Sequence, residues 1–230
     1  MPRVFENSSE SLQNPTKAII FSNERFDGFP EIQLDNNLHV GKLEIILPNF
    51  NVDVQVFREK TANEIKEIVK SLHRADLSNY SSLMLIIVSN GVNKGRVYAK
   101  DTLYDLEDDI FTPIIDNRTL ANKPKIFIID ANRGSKDFNN ITHDAARFSR
   151  RPNQIIKLFS TYDGYKSYRT PQGHSLLLDR LCVNLENSGN SCNLKELFTN
   201  VQKEVIDISG ENAYPIINSS LTLNYYLGQQ

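Results

Sequence analysis

The sequence predicts an α/β sandwich built on a mostly parallel sheet, and three observations carry that prediction. "LMLIIV" (83–88) and "KIFII" (125–129) are unbroken apolar runs, the pattern of central strands covered on both faces. Segments with apolar residues at helical spacing alternate with strand-like runs, and such alternation yields parallel strands joined by crossover helices. The alternation resumes after a polar, aliphatic-poor interval at 134–153, so one architecture continues through the rest of the chain.

Residues 1–16 carry Ser8, Ser9, Ser11, Asn14 and Pro15 and read as a flexible lead-in. "KAIIF" (17–21) is a first strand. In "NNLHVGKLEIILPNF" (36–50), Leu38, Leu43, Ile46 and Leu47 fall near helical spacing, and Pro48 closes the helix. "VDVQVF" (52–57) alternates with period two, as a strand does. "TANEIKEIVKSLHRAD" (61–76) opens on a capping box, Thr61 with Glu64, and continues with Ile65, Ile68, Val69 and Leu72 on one helical face. Between the two central strands, "TLYDLEDDI" (102–110) fits a short helix. "IIKLFST" (155–161) is a strand, "HSLLLDRLCVNLEN" (174–187) and "LKELFTNVQKEVIDIS" (194–209) are helices, and "YPIINSSLTLNYYL" (214–227) is a final strand. The chain thus divides into a lead-in (1–16), a first α/β region (17–134), a linker or exposed loop (135–153) and a second region (154–230).

With 230 residues, 40% of them hydrophobic, the chain is long enough for one sizeable core. Its 26 basic and 28 acidic residues leave a net charge of −2, with no bulk attraction to nucleic acid or a membrane surface. "RFSRRP" (147–152) lacks interleaved aromatics and reads as a solvated loop. Two cysteines, Cys182 and Cys192, are too few for a disulfide framework, and no Cys/His spacing suits zinc, so a reducing compartment and no metal are expected. The N-terminal stretch has no signal-peptide core, and no window approaches the ~18 apolar residues of a membrane span, which points to a cytoplasmic protein without a membrane partner.

Functional groups in such folds collect at the carboxyl ends of central strands. Two ends carry loop signals: "SNGVNKGRVYAKD" after Val88 and "DANRG" after Ile129. Neither has the glycine spacing of a nucleotide cradle, so no cofactor is expected. Each presents an asparagine, Asn90 and Asn132, and a carboxamide is neither base nor nucleophile near neutral pH.

At these residues the chain resembles the caspase family. "SNGVNKGRVYAKD" is similar to the caspase Ser-His-Gly segment with its later glycine and Tyr-Ala-X-Asp ending. "DANRG" is similar to Gln-Ala-Cys-Arg-Gly, whose histidine lies ~50 residues upstream. Asn90 and Asn132 are 42 residues apart. "IIFSNERF" (19–26), "TANEI" (61–65), "NKPKIFIIDANRG" (122–134), "FSTYDGYKSYR" (159–169) and the phasing of "LTLNYYL" extend the resemblance over residues 17–227. It implies an αβα sandwich with a six-stranded sheet, a large-subunit-like region and a small-subunit-like region. It also implies a final strand, with Ile216, Ile217, Ser219, Leu221 and Leu223, that pairs across a two-fold axis.

The departures point away from catalysis. The caspase histidine falls on Asn90 and the nucleophilic cysteine on Asn132, so both halves of the dyad are carboxamides. The pocket glutamine falls on Asp130, whose charge opposes the aspartate that caspases hold there, and the first pocket arginine falls on Gln33. Arg169 alone remains of the pocket, while Gly91 and the main-chain N–H of residue 132 could still form the oxyanion hole, which serves nothing without a nucleophile. Cys182 lies in an apolar helical pattern and Cys192 in a loop, while His39, His73, His143 and His174 fall away from both strand ends, so Ser89 and Ser135 have no base nearby. Asp144 in "ITHDA" resembles a caspase cleavage site in the linker, and is equally an ordinary aspartate in a polar loop.

The resemblance therefore implies a caspase homologue without activity. Such a protein would regulate apoptosis by pairing with an active caspase, or with itself, through the final strand and raising the partner's activity. The alternatives are a decoy that sequesters a caspase or an inhibitor-of-apoptosis protein, and a residual peptidase with a rebuilt site.

Overall fold

The computed structural model describes residues 14–28, Leu34, 37–136 and 154–228. Its first elements are β1 (Thr16–Ser22), α1 (Asn37–Ile46), β2 (Val52–Arg58), α2 (Ala62–Arg74) and β3 (Ser82–Val88). Three short strands follow, β4 (Gly91–Val92), β5 (Arg96–Tyr98) and β6 (Leu103–Asp105), then a π-type turn at Glu107–Phe111 that runs into α3 (Thr112–Ile115). The second half comprises β7 (Lys125–Asp130), β8 (Gly134–Lys136), β9 (Ile155–Phe159), β10 (Gly164–Tyr165), α4 (Leu176–Ser188), α5 (Leu194–Ser209) and β11 (Ile216–Ser219).

Six strands form one sheet in the order β11-β9-β7-β3-β1-β2. Only β11 runs antiparallel to its neighbour, so the expected mostly parallel six-stranded sheet is what the chain builds. Alternation along each strand sends side chains to opposite faces. Ala18, Ile20, Met84, Ile86, Ile126, Ile128, Ile156 and Leu158 pack with α1, α4 and α5. Ile19, Phe21, Leu85, Ile87, Phe127 and Ile129 pack with α2, α3 and the β5–β6 hairpin. These two apolar layers explain why Leu83–Val88 of β3 and Ile126–Ile129 of β7 are apolar at every position rather than at alternate ones.

Local signals fix the helix ends. Thr61 Oγ1 accepts the Glu64 N–H at 3.3 Å while Glu64 Oε2 accepts the Thr61 N–H at 2.9 Å, the reciprocal bonds of the expected capping box. Asn193 and Glu196 repeat the device at α5, which stops where Gly210 takes a left-handed conformation.

Two segments differ from their sequence reading. Residues 102–110 are strand first and helix second: Leu103–Asp105 pairs with β5, and Asp105 Oδ1 then accepts the N–H groups of Glu107 and Asp108 to start the helical turns. The final strand ends at Ser219 rather than running to 227. Leu221 and Leu227 turn into the core, the Tyr225 carbonyl accepts the Leu194 N–H at 2.7 Å, and the Tyr225 hydroxyl bonds Thr16 and Ser82 at 2.8 Å each. β-forming residues there serve tertiary burial, which overrides strand propensity.

One buried cation was not legible beforehand. Lys125, at the start of β7, is 1% exposed, and its Nζ donates to the carbonyls of Leu120 and Lys123 at 2.8 Å each. Burial holds its amine down at about 8, against an ordinary 10.5. Between those two pH values the unfolded chain binds the extra proton, so stability rises with pH across that window. Urea unfolding across the window should show the wild type gaining on Lys125→Met by up to about 3 kcal/mol. Parallel pH curves for the two proteins would sink this assignment.

Candidate functional site

β3 and β7 are adjacent and parallel, with Val88 opposite Asp130. Residues two positions beyond each strand are therefore brought together, and these are Asn90 and Asn132. Their side chains are hydrogen-bonded, Asn132 Nδ2 donating to Asn90 Oδ1 at 2.7 Å. The same Asn90 oxygen accepts the Gly91 N–H at 2.9 Å. On its other side, Asn132 Oδ1 accepts the Ser167 N–H at 2.7 Å and the Ser167 hydroxyl at 3.0 Å. Two carboxamides thus join the ends of β3 and β7 to the loop that follows β10.

This lock uses the groups an acyl-transfer site would need. The Gly91 N–H, the expected oxyanion donor, is already taken by Asn90. Gly91 is also the residue the packing demands, because a Cβ there would meet the Asn132 carbonyl at 2.3 Å and the Arg96 carbonyl at 3.0 Å. The main chain of Asn90 is held in turn, its carbonyl accepting the Tyr98 N–H at 2.9 Å within the small β4–β6 sheet. That sheet falls in a stretch with no strand periodicity, since two- and three-residue strands are too short to display one.

Arg133 braces the neighbouring loop. Its N–H bonds the Tyr165 carbonyl and its carbonyl accepts the Gly164 N–H. Its guanidinium lies 4.4 Å from the Phe159 ring centroid and donates to the Thr161 carbonyl at 3.1 Å. Gly134 and Gly164 pair so closely that a Cβ on Gly134 would reach the Gly164 backbone at 2.1 Å.

Asp130 is 1% exposed and faces Arg169, with Nη2 to Oδ2 at 3.8 Å. Among the described residues Oδ2 has no hydrogen-bond partner. Arg169 also donates to the Gly173 carbonyl at 3.2 Å. The one cation that the resemblance leaves in the pocket is therefore faced by the carboxylate that the resemblance places beside it. Gln33 and Asp144 lie outside the described residues.

Among the described residues, none of the remaining candidate nucleophiles and bases hydrogen-bonds the Asn90–Asn132–Ser167 lock through its side chain. Ser89 is buried and donates to the Tyr98 carbonyl at 2.7 Å, and Ser135 is exposed. Cys182 is buried in the core, and burial pushes its thiol up to about 12. Cys192 donates to the Ser188 carbonyl at 3.2 Å. His39 and His174 meet edge to face at 5.7 Å, with His39 at 3.5 Å from Asp179 on the α1–α4 side of the sheet. Burial holds the His39 imidazole below its ordinary range despite that carboxylate. His73 bonds the Pro113 carbonyl and His143 lies outside the described residues. Among the described residues no three His, Cys, Asp or Glu side chains are grouped to hold a metal ion, and no helix is long and apolar enough to cross a membrane. Ser167, the third member of the lock, has no signal in spacing; it lies 35 residues beyond Asn132, inside the "FSTYDGYKSYR" stretch.

At the sheet edge, Ile216, Ile217 and Ser219 lie in β11, while Leu221 and Leu223 lie beyond it. The Ser220 N–H points inward to the Ile155 carbonyl, so the ladder turns the N–H groups of Ile217 and Ser219 outward. Among the described residues no strand covers that edge.

A family model described as the caspase domain matches residues 15–226. Caspase-1 of Spodoptera frugiperda is 27% identical over 93% of this chain and 78% of its own length. Caspase drICE of Drosophila melanogaster is 27% identical over 84% of this chain, which spans 60% of that relative. The crystal structure of caspase-1 from Spodoptera frugiperda superposes with a TM-score of 0.84 at 26% identity, covering 99% of this chain and 96% of the other.

Proposed function

This chain belongs to the caspase family, and from that premise we propose that it is a non-catalytic member that regulates apoptosis by pairing with an active caspase through β11 and raising its activity. The observation that carries the reading is the Asn90–Asn132–Ser167 lock, which stands where the resemblance puts imidazole and thiol. Two carboxamides supply neither a proton acceptor near neutral pH nor a nucleophile. The Asp130–Arg169 pair supports the same reading, since the cation that would hold a substrate carboxylate already faces one.

What remains useful is the edge. The outward N–H groups of Ile217 and Ser219 suit antiparallel pairing with a like strand about a two-fold axis. A partner whose active loops order on pairing gains activity when this chain makes contacts with the ordered state that it does not make with the disordered one.

Titration into a purified, weakly dimeric caspase of the same organism, with an aspartyl reporter peptide, tests the reading. The expected result is a saturable rise in rate at constant caspase concentration. A saturable fall would replace activation with sequestration. No change, together with no association in sedimentation, would overturn the proposal.

A further inference from the structure

Asn90–Gly91 is the one place in the sequence where an asparagine precedes a glycine. In such a pair the glycine nitrogen attacks the asparagine side-chain carbonyl carbon, closing a five-membered succinimide and expelling ammonia. Glycine permits this because no Cβ obstructs the approach. In most proteins the step is slow, since folding holds the nitrogen away from the carboxamide and nothing stabilises the oxyanion of the tetrahedral intermediate.

Here both obstacles are reduced by named contacts. The Gly91 nitrogen lies 2.9 Å from Asn90 Oδ1, so the fold holds the nitrogen against its own carboxamide instead of away from it. The oxygen that would carry the developing negative charge accepts a second bond, from Asn132 Nδ2 at 2.7 Å. That donor is fixed in advance, because Ser167 grips the other end of the Asn132 carboxamide through two bonds. A preorganised donor aimed at a developing oxyanion is the arrangement that accelerates acyl transfer. Among the described residues the bonds of the Asn90 side chain all run through Oδ1, which leaves Nδ2 as the departing group.

We infer that Asn90 is a site of intramolecular deamidation, with the Gly91 nitrogen as nucleophile and Asn132 as the oxyanion donor. The N–Cγ bond forms, the Gly91 N–H proton is lost to solvent base, and the Cγ–Nδ2 bond breaks as the nitrogen leaves as ammonia. Water then opens the succinimide at one of its two carbonyls, giving aspartate or isoaspartate at position 90. The sum is amide plus water to carboxylate plus ammonium, with no redox partner, and the main chain stays intact. An aspartate at position 90 keeps an oxygen for both donors. An isoaspartate adds a methylene to the main chain beside the Tyr98–Asn90 hydrogen bond and strains the lock. The inference stands whether or not the chain pairs with a caspase.

The test is peptide mass spectrometry of the full chain incubated natively at mildly alkaline pH, following the amide-to-acid mass change at Asn90. Controls are the same chain unfolded in urea and the isosteric Asn132→Asp variant, which keeps the acceptor for Ser167 and removes the donor to Asn90. The native wild type should convert at least about tenfold faster than Asn132→Asp, and faster than the unfolded chain. Equal rates for the wild type and a folded Asn132→Asp overturn the inference. If that variant does not fold, the comparison with urea decides alone: a native rate below the unfolded one means that the fold protects Asn90.

Discussion

Asn90→His with Asn132→Cys is expected to leave hydrolysis of an aspartyl reporter at background. The pair would return an imidazole and a thiol to adjacent strand ends and release the Gly91 N–H from its bond to Asn90. The substrate's own carboxylate would still have nowhere to bind. Asp130 faces the Arg169 guanidinium at 3.8 Å, and the resemblance puts Gln33 where the other pocket arginine would stand. Two carboxylates ~4 Å apart, at the effective dielectric of ~20 that describes protein sites, repel by about 4 kcal/mol, which is close to a thousandfold in kcat/KM. Adding Asp130→Gln and Gln33→Arg to the double variant should therefore raise aspartyl cleavage by about a thousandfold over the double variant. Thermal unfolding of both proteins guards against simple misfolding. Ready cleavage by the double variant alone would mean that Asp130 does not govern the pocket.

Ser219→Pro should cut association with a partner strand by about a hundredfold. Proline lacks the N–H, and at this position that N–H points away from β9, so the internal ladder loses nothing. An approaching strand loses a hydrogen bond of about 1 kcal/mol and meets the ring within the ~4.8 Å spacing of paired strands. Together these cost on the order of 2–3 kcal/mol. Sedimentation would give the affinity, and a cooperative melt of the isolated chain, lowered by no more than the lost bond from the Leu221 N–H to the Ser219 hydroxyl accounts for, would show the fold intact. Undiminished association would exclude β11 as the interface.

The parts of the molecule that could be read beforehand are those where one physical demand governs a long stretch. β3 and β7 are buried on both faces, so their apolar runs admit no other reading. α2 and α5 announce themselves through caps and periodicity. The adjacency of Asn90 and Asn132 follows from two parallel neighbours with a glycine-containing turn after each. What escaped depends on distant partners. Ser167 joins the lock from a loop 35 residues away, Lys125 looks like the polar flank of a strand until its two carbonyl partners surround it, and Leu221 and Leu227 are β-formers drawn into the core. A helix was expected over Leu103–Asp105 because local spacing allowed it, but pairing with β5 decided otherwise.

β9 enters the sheet between β7, from the first half of the chain, and β11, from the second. Its side chains contribute to both apolar layers, so the two halves share one interior rather than abut as separate bodies. The covalent connection between Lys136 and Gln154 keeps both halves in one molecule and so sets a high effective concentration of one for the other. A nick in that connection would change the molecularity of unfolding, from one particle to two, and so make the stability of the shared interior depend on concentration.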